Sequence, residues 1–161
     1  MKFVDKQLAT KLKEKGFDKP CFGYYYLETP TGLTDDKLVL SRYYGRGGTF
    51  VDTLKRHDLP YTTSNIVDAP TIEQILKWLR EDKDIHIKSD ICFRYTSEHK
   101  KDKNGTYSGY MDVSKPFWSF LIRKIKNGNC VYDNTTASNN EYFSYEDACI
   151  AGIEYVINNL I

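Results

Sequence analysis

Histidine, methionine and tryptophan are scarce in this chain, and neither sign of charge dominates it. The 161 residues include three His, two Met, two Trp and four Cys, and 23 Lys and Arg stand against 22 Asp and Glu for a net charge of +1. The near-balance removes the basic excess by which a dedicated nucleic-acid binder announces itself. The cysteines, Cys21, Cys92, Cys130 and Cys149, are far apart in the chain. Without a C-x-x-C pair there is neither a zinc knuckle nor a thioredoxin-type motif. No apolar stretch approaches the roughly 20 residues of a membrane span. The opening MKFVDKQLATKLKEKG holds no apolar run of signal-peptide length. The expectation is a soluble cytoplasmic protein with no membrane partner, its four thiols reduced and mostly buried as small apolar side chains.

What the chain does have is apolar material for a core and many aromatic rings. Hydrophobic residues make up 40% and charged residues 28%, the composition of a folded chain rather than a disordered one. The length suits a single domain over residues 1–161 with a modest core. Aromatic residues reach 14%, with 13 tyrosines. Tyrosine is a good strand former and is also enriched at binding surfaces.

Periodicity divides the chain into elements. Asp5 caps a first helix with Leu8, Ala9 and Leu12 on one face, and Gly16 closes it with Phe17 folding back. Cys21–Leu27 (CFGYYYL), Lys37–Tyr43 and Thr49–Leu54 read as strands, and Lys55–Asp68, broken by Pro60, as irregular chain. Thr71 and Gln74 make a T-x-x-Q capping box for a second helix, which carries Ile72, Ile75, Leu76 and Leu79 on one face and ends near Asp82. Ile85–Thr96 alternates, with Ile85, Ile87, Ile91, Phe93 and Tyr95 on one side and His86, Lys88, Asp90, Cys92 and Arg94 on the other. That pattern is a half-buried strand, or two with a bend near Ser89–Asp90.

Ser97–Ser108 reads as a charged loop or hairpin tip, and Tyr110–Val113 as a short strand. FWSFLIRKIKNGNCVYD is the strongest local signal, two strands around Asn127–Gly128, the dipeptide that suits a type I′ turn. Ser144 caps a last helix, with Phe143 as a staple residue and Ala148, Cys149, Ala151, Gly152, Tyr155, Val156 and Leu160 on its buried face. The fold class that follows is α+β, an antiparallel twisted sheet with about three helices packed mainly on one face, in the order α-β-β-β-α-β-β-β-α. Leu76, Leu79, Ile87, Phe93, Phe120, Ile122 and Ala148 are expected to share one core.

Catalytic patterns are weak by the same reading. His86, Asp90 and Cys92 share a strand face, but six residues of strand separate His86 from Cys92 by about 20 Å, and a catalytic dyad needs about 3 Å. The stretch YYGRGGTFVD from Tyr43 to Asp52 resembles a phosphate grip, yet it lacks the Lys-Ser/Thr pair of G-x-x-x-x-G-K-[ST] and continues as strand instead of helix. It reads as a glycine turn between strands, with Arg46 at its tip. From Thr71 onward the order of elements matches a double-stranded-RNA-binding domain. Such a domain binds through basic residues at the start of its last helix, and SYEDAC carries Glu146 and Asp147 there. Nucleic acid is therefore a disfavoured partner.

Three stretches, LKEKGFDKPCFGYY (Leu12–Tyr25), APTIEQILKWLRE (Ala69–Glu81) and YEDACIAGIEYVI (Tyr145–Ile157), carry a resemblance. With their K-G-F-x-x-P-C-F, A-P-T-x-x-Q-x-x-x-W and Y-E-x-A-x-x-A patterns, they resemble a family of small uncharacterised proteins of gut Bacteroidetes genomes, prophages and phages. The resemblance brings no activity and no functional residues with it. It implies a phage or mobile-element setting, and so the host-cell cytoplasm.

The function expected on these grounds is non-catalytic binding, without a cofactor or metal. The first reading is a protein-interaction factor, such as an inhibitor of a host defence system. The alternatives are a module for a small anionic ligand or nucleotide, with Arg46 and the glycine turn as one wall, and a minor virion or assembly component. The expected contact residues are Tyr43, Tyr44, Arg46, Gly47 and Thr49 at the glycine turn, and His99, Lys100 and Lys101 at the charged tip. Aromatic residues and arginine are the types that carry interface energy.

Overall fold

The structure, a computed structural model, describes residues 2–27, 37–40, 66–93, 95–101, 104, 107–113, 116–134 and 141–161, with the backbone alone described in 95–101 and 107–113. The first helix, α1 (Lys6–Glu14), starts where the Asp5 carboxylate accepts the Leu8 amide at 2.8 Å. It ends as the sequence implies. Gly16 takes φ 85°, and the Phe17 and Gly16 amides donate to the Leu12 and Lys13 carbonyls at 2.9 and 3.0 Å, the paired closure of a Schellman motif.

Strands β1 (Gly23–Tyr26), β2 (Val39–Leu40) and β3 (Ile66–Ala69) then form an antiparallel sheet in the order β2-β1-β3. β3 lies within the stretch read as irregular. Four residues are too few to show alternation, and the strand is defined by its partner, from Gly23↔Ala69 to Tyr26↔Ile66. The expected strand Thr49–Leu54, and Lys37–Tyr43 beyond Leu40, lie outside the described residues.

Helix α2 (Ile72–Asp82) opens with the expected reciprocal cap. The Gln74 amide donates to Thr71 Oγ1 at 3.3 Å, and the Thr71 amide donates to Gln74 Oε1 at 2.9 Å. Asp84, at φ 59°, turns the chain into the next strand. A left-handed non-glycine residue is uncommon, and this one is held from outside. Its carbonyl accepts the Ile125 amide, and its carboxylate accepts the Lys126 amide, both at 3.0 Å.

The second sheet is β4 (Ile85–Cys92), β7 (Phe117–Lys124) and β8 (Cys130–Asp133), antiparallel in the order β4-β7-β8. Between β4 and β7 stands a separate hairpin, β5 (Tyr95–Lys101) with β6 (Tyr107–Val113), in register from Tyr95↔Val113 to Lys101↔Tyr107. In the charged segment, Ser97–Lys101 and Tyr107–Ser108 are thus paired strand, and Asn104 lies in a turn. Helix α3 (Tyr145–Asn159), capped by Ser144, completes the chain. The α+β class is that expected, and helices open, divide and close the chain as expected, but five strands instead of three lie between α2 and α3, and the strands are shared between two sheets and a hairpin.

One cluster of buried side chains draws on all three helices and on both sheets. Trp78 is its largest member, with the Phe17 ring edge-on at 5.3 Å. Helix α3 lies directly on β4 and β7 because Gly152 has no side chain. A Cβ there would stand 2.8 Å from Ile87 Cγ2 and 3.2 Å from the Phe120 ring. Of the expected core set, Leu79, Ile87, Phe120, Ile122 and Ala148 are buried, and Leu76 sits half-buried at the margin.

Phe93 is a correction, since it is 50% exposed, and Ile91 on the same face is 47% exposed. The face alternates as read, but α3 does not reach that far along it. Phe143 is a second correction. It is 96% exposed and staples nothing. On α3, Ile153 and Ile157 join Ala148, Cys149, Gly152 and Val156 in the core, while Ala151, Tyr155 and Leu160 are half-buried.

Candidate functional site

The three stretches that carry the family resemblance meet in the structure, and their role there is packing. Gly16 and Phe17 close α1, Phe17 packs on Trp78, and Gln74 Nε2 donates to the Pro20 carbonyl at 2.6 Å. Lys19 pairs with Asp82 at 2.6 Å, and the Lys83 ammonium lies 5.0 Å from the Trp78 ring. The shallow groove left along this seam, about 270 Å³, is lined by groups already engaged with one another. A wider groove beside α1, about 690 Å³, is lined by Asp5, Lys6, Gln7, Thr10, Lys11, Glu14 and Tyr25. Its Tyr25 hydroxyl donates to the Val4 carbonyl at 2.7 Å, and the rest is the solvated face of an amphipathic helix.

Of the residues expected to make contact, Tyr43, Tyr44, Arg46, Gly47 and Thr49 lie outside the described residues. His99, Lys100 and Lys101 lie on β5, opposite Gly109, Ser108 and Tyr107 of β6, so they belong to a ladder instead of a free loop.

The feature that stands out lies elsewhere, at the far end of the β4–β7 pair. Ile91 is the Cα partner of Trp118. Trp118 exchanges backbone hydrogen bonds with Tyr142, at 2.8 and 3.1 Å, and its indole takes the Tyr145 ring edge-on at 5.4 Å. Ile91 and Phe93 extend the apolar face of β4 past the end of α3. Tyr145, the first residue of α3, is 40% exposed, and Phe143 stands two residues before it. The result is a shelf open to solvent, with Ile91 and Trp118 on the ladder, Phe93 just past β4 and Tyr145 on α3. Its rim is acidic. Glu73 and Glu146, each in the first turn of its helix, both act on the Tyr145 phenol. Sequence reasoning assigned Ile91 and Phe93 to the core. The signal that could have separated them is Ser89, which breaks the run of isoleucines on that face.

Beneath the shelf, Ser89 Oγ and Cys149 Sγ lie within 3.2 Å. Hydrogen bonding to Cys149, then burial, pushes the Tyr145 phenol up to about 12. The phenol stays protonated at neutral pH, as an ordinary phenol does, and is no base that would activate Cys149. All four cysteines are free thiols; Cys21 and Cys149 are buried, Cys92 is half-buried and Cys130 is exposed. Burial is the first cause that raises the Cys21 thiol well above its ordinary value, which makes it inert. Among the described residues no group of His, Cys, Asp and Glu is placed to hold a metal ion, and no helix is long and apolar enough to cross a membrane.

Comparison with known proteins adds no relative: no family profile, no curated protein and no solved structure matches the chain.

Proposed function

We propose that this protein is a non-catalytic binding factor that grips another protein through the aromatic shelf. The observation that carries the reading is the exposure of Ile91 and Phe93, 47% and 50%, on the strand face whose earlier residues build the core. Exposed apolar area gathered in one place marks interaction surfaces, and aromatic anchors in a fixed geometry carry most interface energy. Covering each of these half-exposed side chains contributes about 1 kcal/mol. The resemblance noted above adds a setting, a phage or mobile element, in which such a factor would act on a host protein, for instance by inhibiting a defence enzyme.

The test replaces Ile91 and Phe93 together by Glu, with Ile125→Glu as a control of equal exposure (48%) in the β7–β8 turn. Folding is checked by circular dichroism, and the proteins captured from a host lysate are compared with those captured by the wild type. The reading expects a captured protein that is lost with the double variant and kept with the control. Equal capture by all three, or equal loss from both variants, contradicts it.

A further inference from the structure

The opposite end of the same sheet is cationic. His86 and Arg123 are Cα partners across β4 and β7, so their side chains stand side by side on the face turned away from α3. Lys88 follows two residues along the same face, and Arg80, exposed in the last turn of α2, is close enough for its charge to act on the imidazole. Like charges directly opposed across a ladder destabilise it, and the effect is visible on His86. Burial first, then Arg80, Arg123 and Lys88, hold its imidazole below the ordinary 6.5.

The neighbouring carboxylates are engaged elsewhere. Asp84 accepts the Lys126 amide, Asp82 pairs with Lys19, Glu81 with Lys77, and Asp90 with Lys88. Asp133 of β8, in the row of Leu121 and Lys88, lies farther along the same face, and among the described residues the three cations Arg80, His86 and Arg123 come from three elements with no carboxylate paired to them.

The geometry points to a site for a phosphoryl-type dianion between Arg80, His86 and Arg123, separate from the aromatic shelf. Two guanidinium groups offer planar forks that match phosphate oxygens. The imidazole adds a third donor, and it becomes a stronger one when the dianion favours its protonated form. Lys88, already paired with Asp90, supplies field more than contact. A carboxylate carries half the charge of a phosphoryl dianion, on two oxygens instead of three, and chloride offers a single centre.

The test follows the imidazole resonances of the full chain by proton NMR across a pH series. The chain has three histidines, and His86→Gln assigns the signal. Millimolar inorganic phosphate should raise the His86 pKa by about one unit relative to chloride at the same ionic strength. The matched salt is needed because screening alone relieves like-charge repulsion. Arg123→Gln should raise the His86 pKa in the absence of phosphate, by removing a like charge, and should abolish the phosphate response.

A nucleoside monophosphate arm tells a free phosphate site, where only inorganic phosphate acts, from one that takes phosphate esters; either outcome supports the proposal. Equal titration in phosphate and chloride overturns it, as does an undiminished phosphate response in Arg123→Gln. A response to a single-stranded oligonucleotide with none to phosphate also overturns it, because that outcome describes a phosphodiester surface.

Discussion

Ile87 and Ile91 are the same side chain on the same face of the same strand, four residues apart. Ile87 is 7% exposed and touches the position that Gly152 keeps free, whereas Ile91 is 47% exposed and borders only the rim of α3. The α3 face of the β4–β7 ladder is therefore closed at Ile85 and Ile87 and open at Ile91, and the cationic pair lies at the closed end on the opposite face. One end is aromatic with an acidic rim, and the other is cationic. A hydrophobic period identifies a face, but the length and approach of the covering helix decide how much of that face becomes core. Where the cover stops, the same pattern becomes a contact surface.

The comparison breaks most plainly through stability. Ile87→Ala should cost about 2–5 kcal/mol, as buried large-to-small changes do, and Ile91→Ala about 0.5 kcal/mol or less, as exposed changes do. Urea denaturation of the two variants reads this directly, and similar losses would mean that both ends of the face are core. Gly152→Ala tests the cover itself. Overpacking against Ile87 and Phe120 costs about 1–3 kcal/mol, and the helix propensity of Ala returns up to about 1 kcal/mol. A net destabilisation of about 1 kcal/mol is expected, and a stabilised variant would show that α3 can lift without loss.

The two ends should also respond to pH in opposite directions. At the aromatic end the folded Tyr145 phenol titrates at about 12, above its ordinary 10. Between those values the unfolded chain has lost a proton that the fold retains. Stability from this group is therefore complete below pH 10 and is lost as pH rises toward 12. Tyr145→Phe should remove that part of the alkaline decline, measured as midpoint against pH for both proteins. At the cationic end His86 titrates below 6.5 when folded. Just below that value the unfolded chain binds a proton that the fold refuses, so stability falls on acidification through this window. The effect should be the smallest of the series, weaker in high salt, and absent in His86→Gln.

Local features were legible in the sequence because they are written in adjacent residues. The Asp5 and Ser144 caps, the Thr71–Gln74 box and Gly16 each follow from a short pattern and the physics of one turn of chain. The turn at Asn127–Gly128 is where the pattern puts it, but only Gly128 takes positive φ, so it is a longer loop and not the expected type I′ turn. Three things were not legible, for a common reason. β3 is a strand only because β1 lies beside it, and β5 is one only because β6 does. The exposure of Ile91 and Phe93 depends on where α3 ends over the sheet. Each is set by pairing or cover from a distant part of the chain. The aromatic shelf was missed for that reason, and the opposed His86–Arg123 pair became visible only once the β4–β7 register was known.

The central claim, that the open aromatic end is a contact face, meets its most direct test in calorimetric titration. The protein captured in the lysate experiment is titrated with wild type, Ile91→Ala and Ile125→Ala. Ile91→Ala should weaken binding about fivefold, equivalent to about 1 kcal/mol, and Ile125→Ala less than about twofold. Equal affinities for Ile91→Ala and wild type would contradict the claim and leave the shelf an uncovered end of the core.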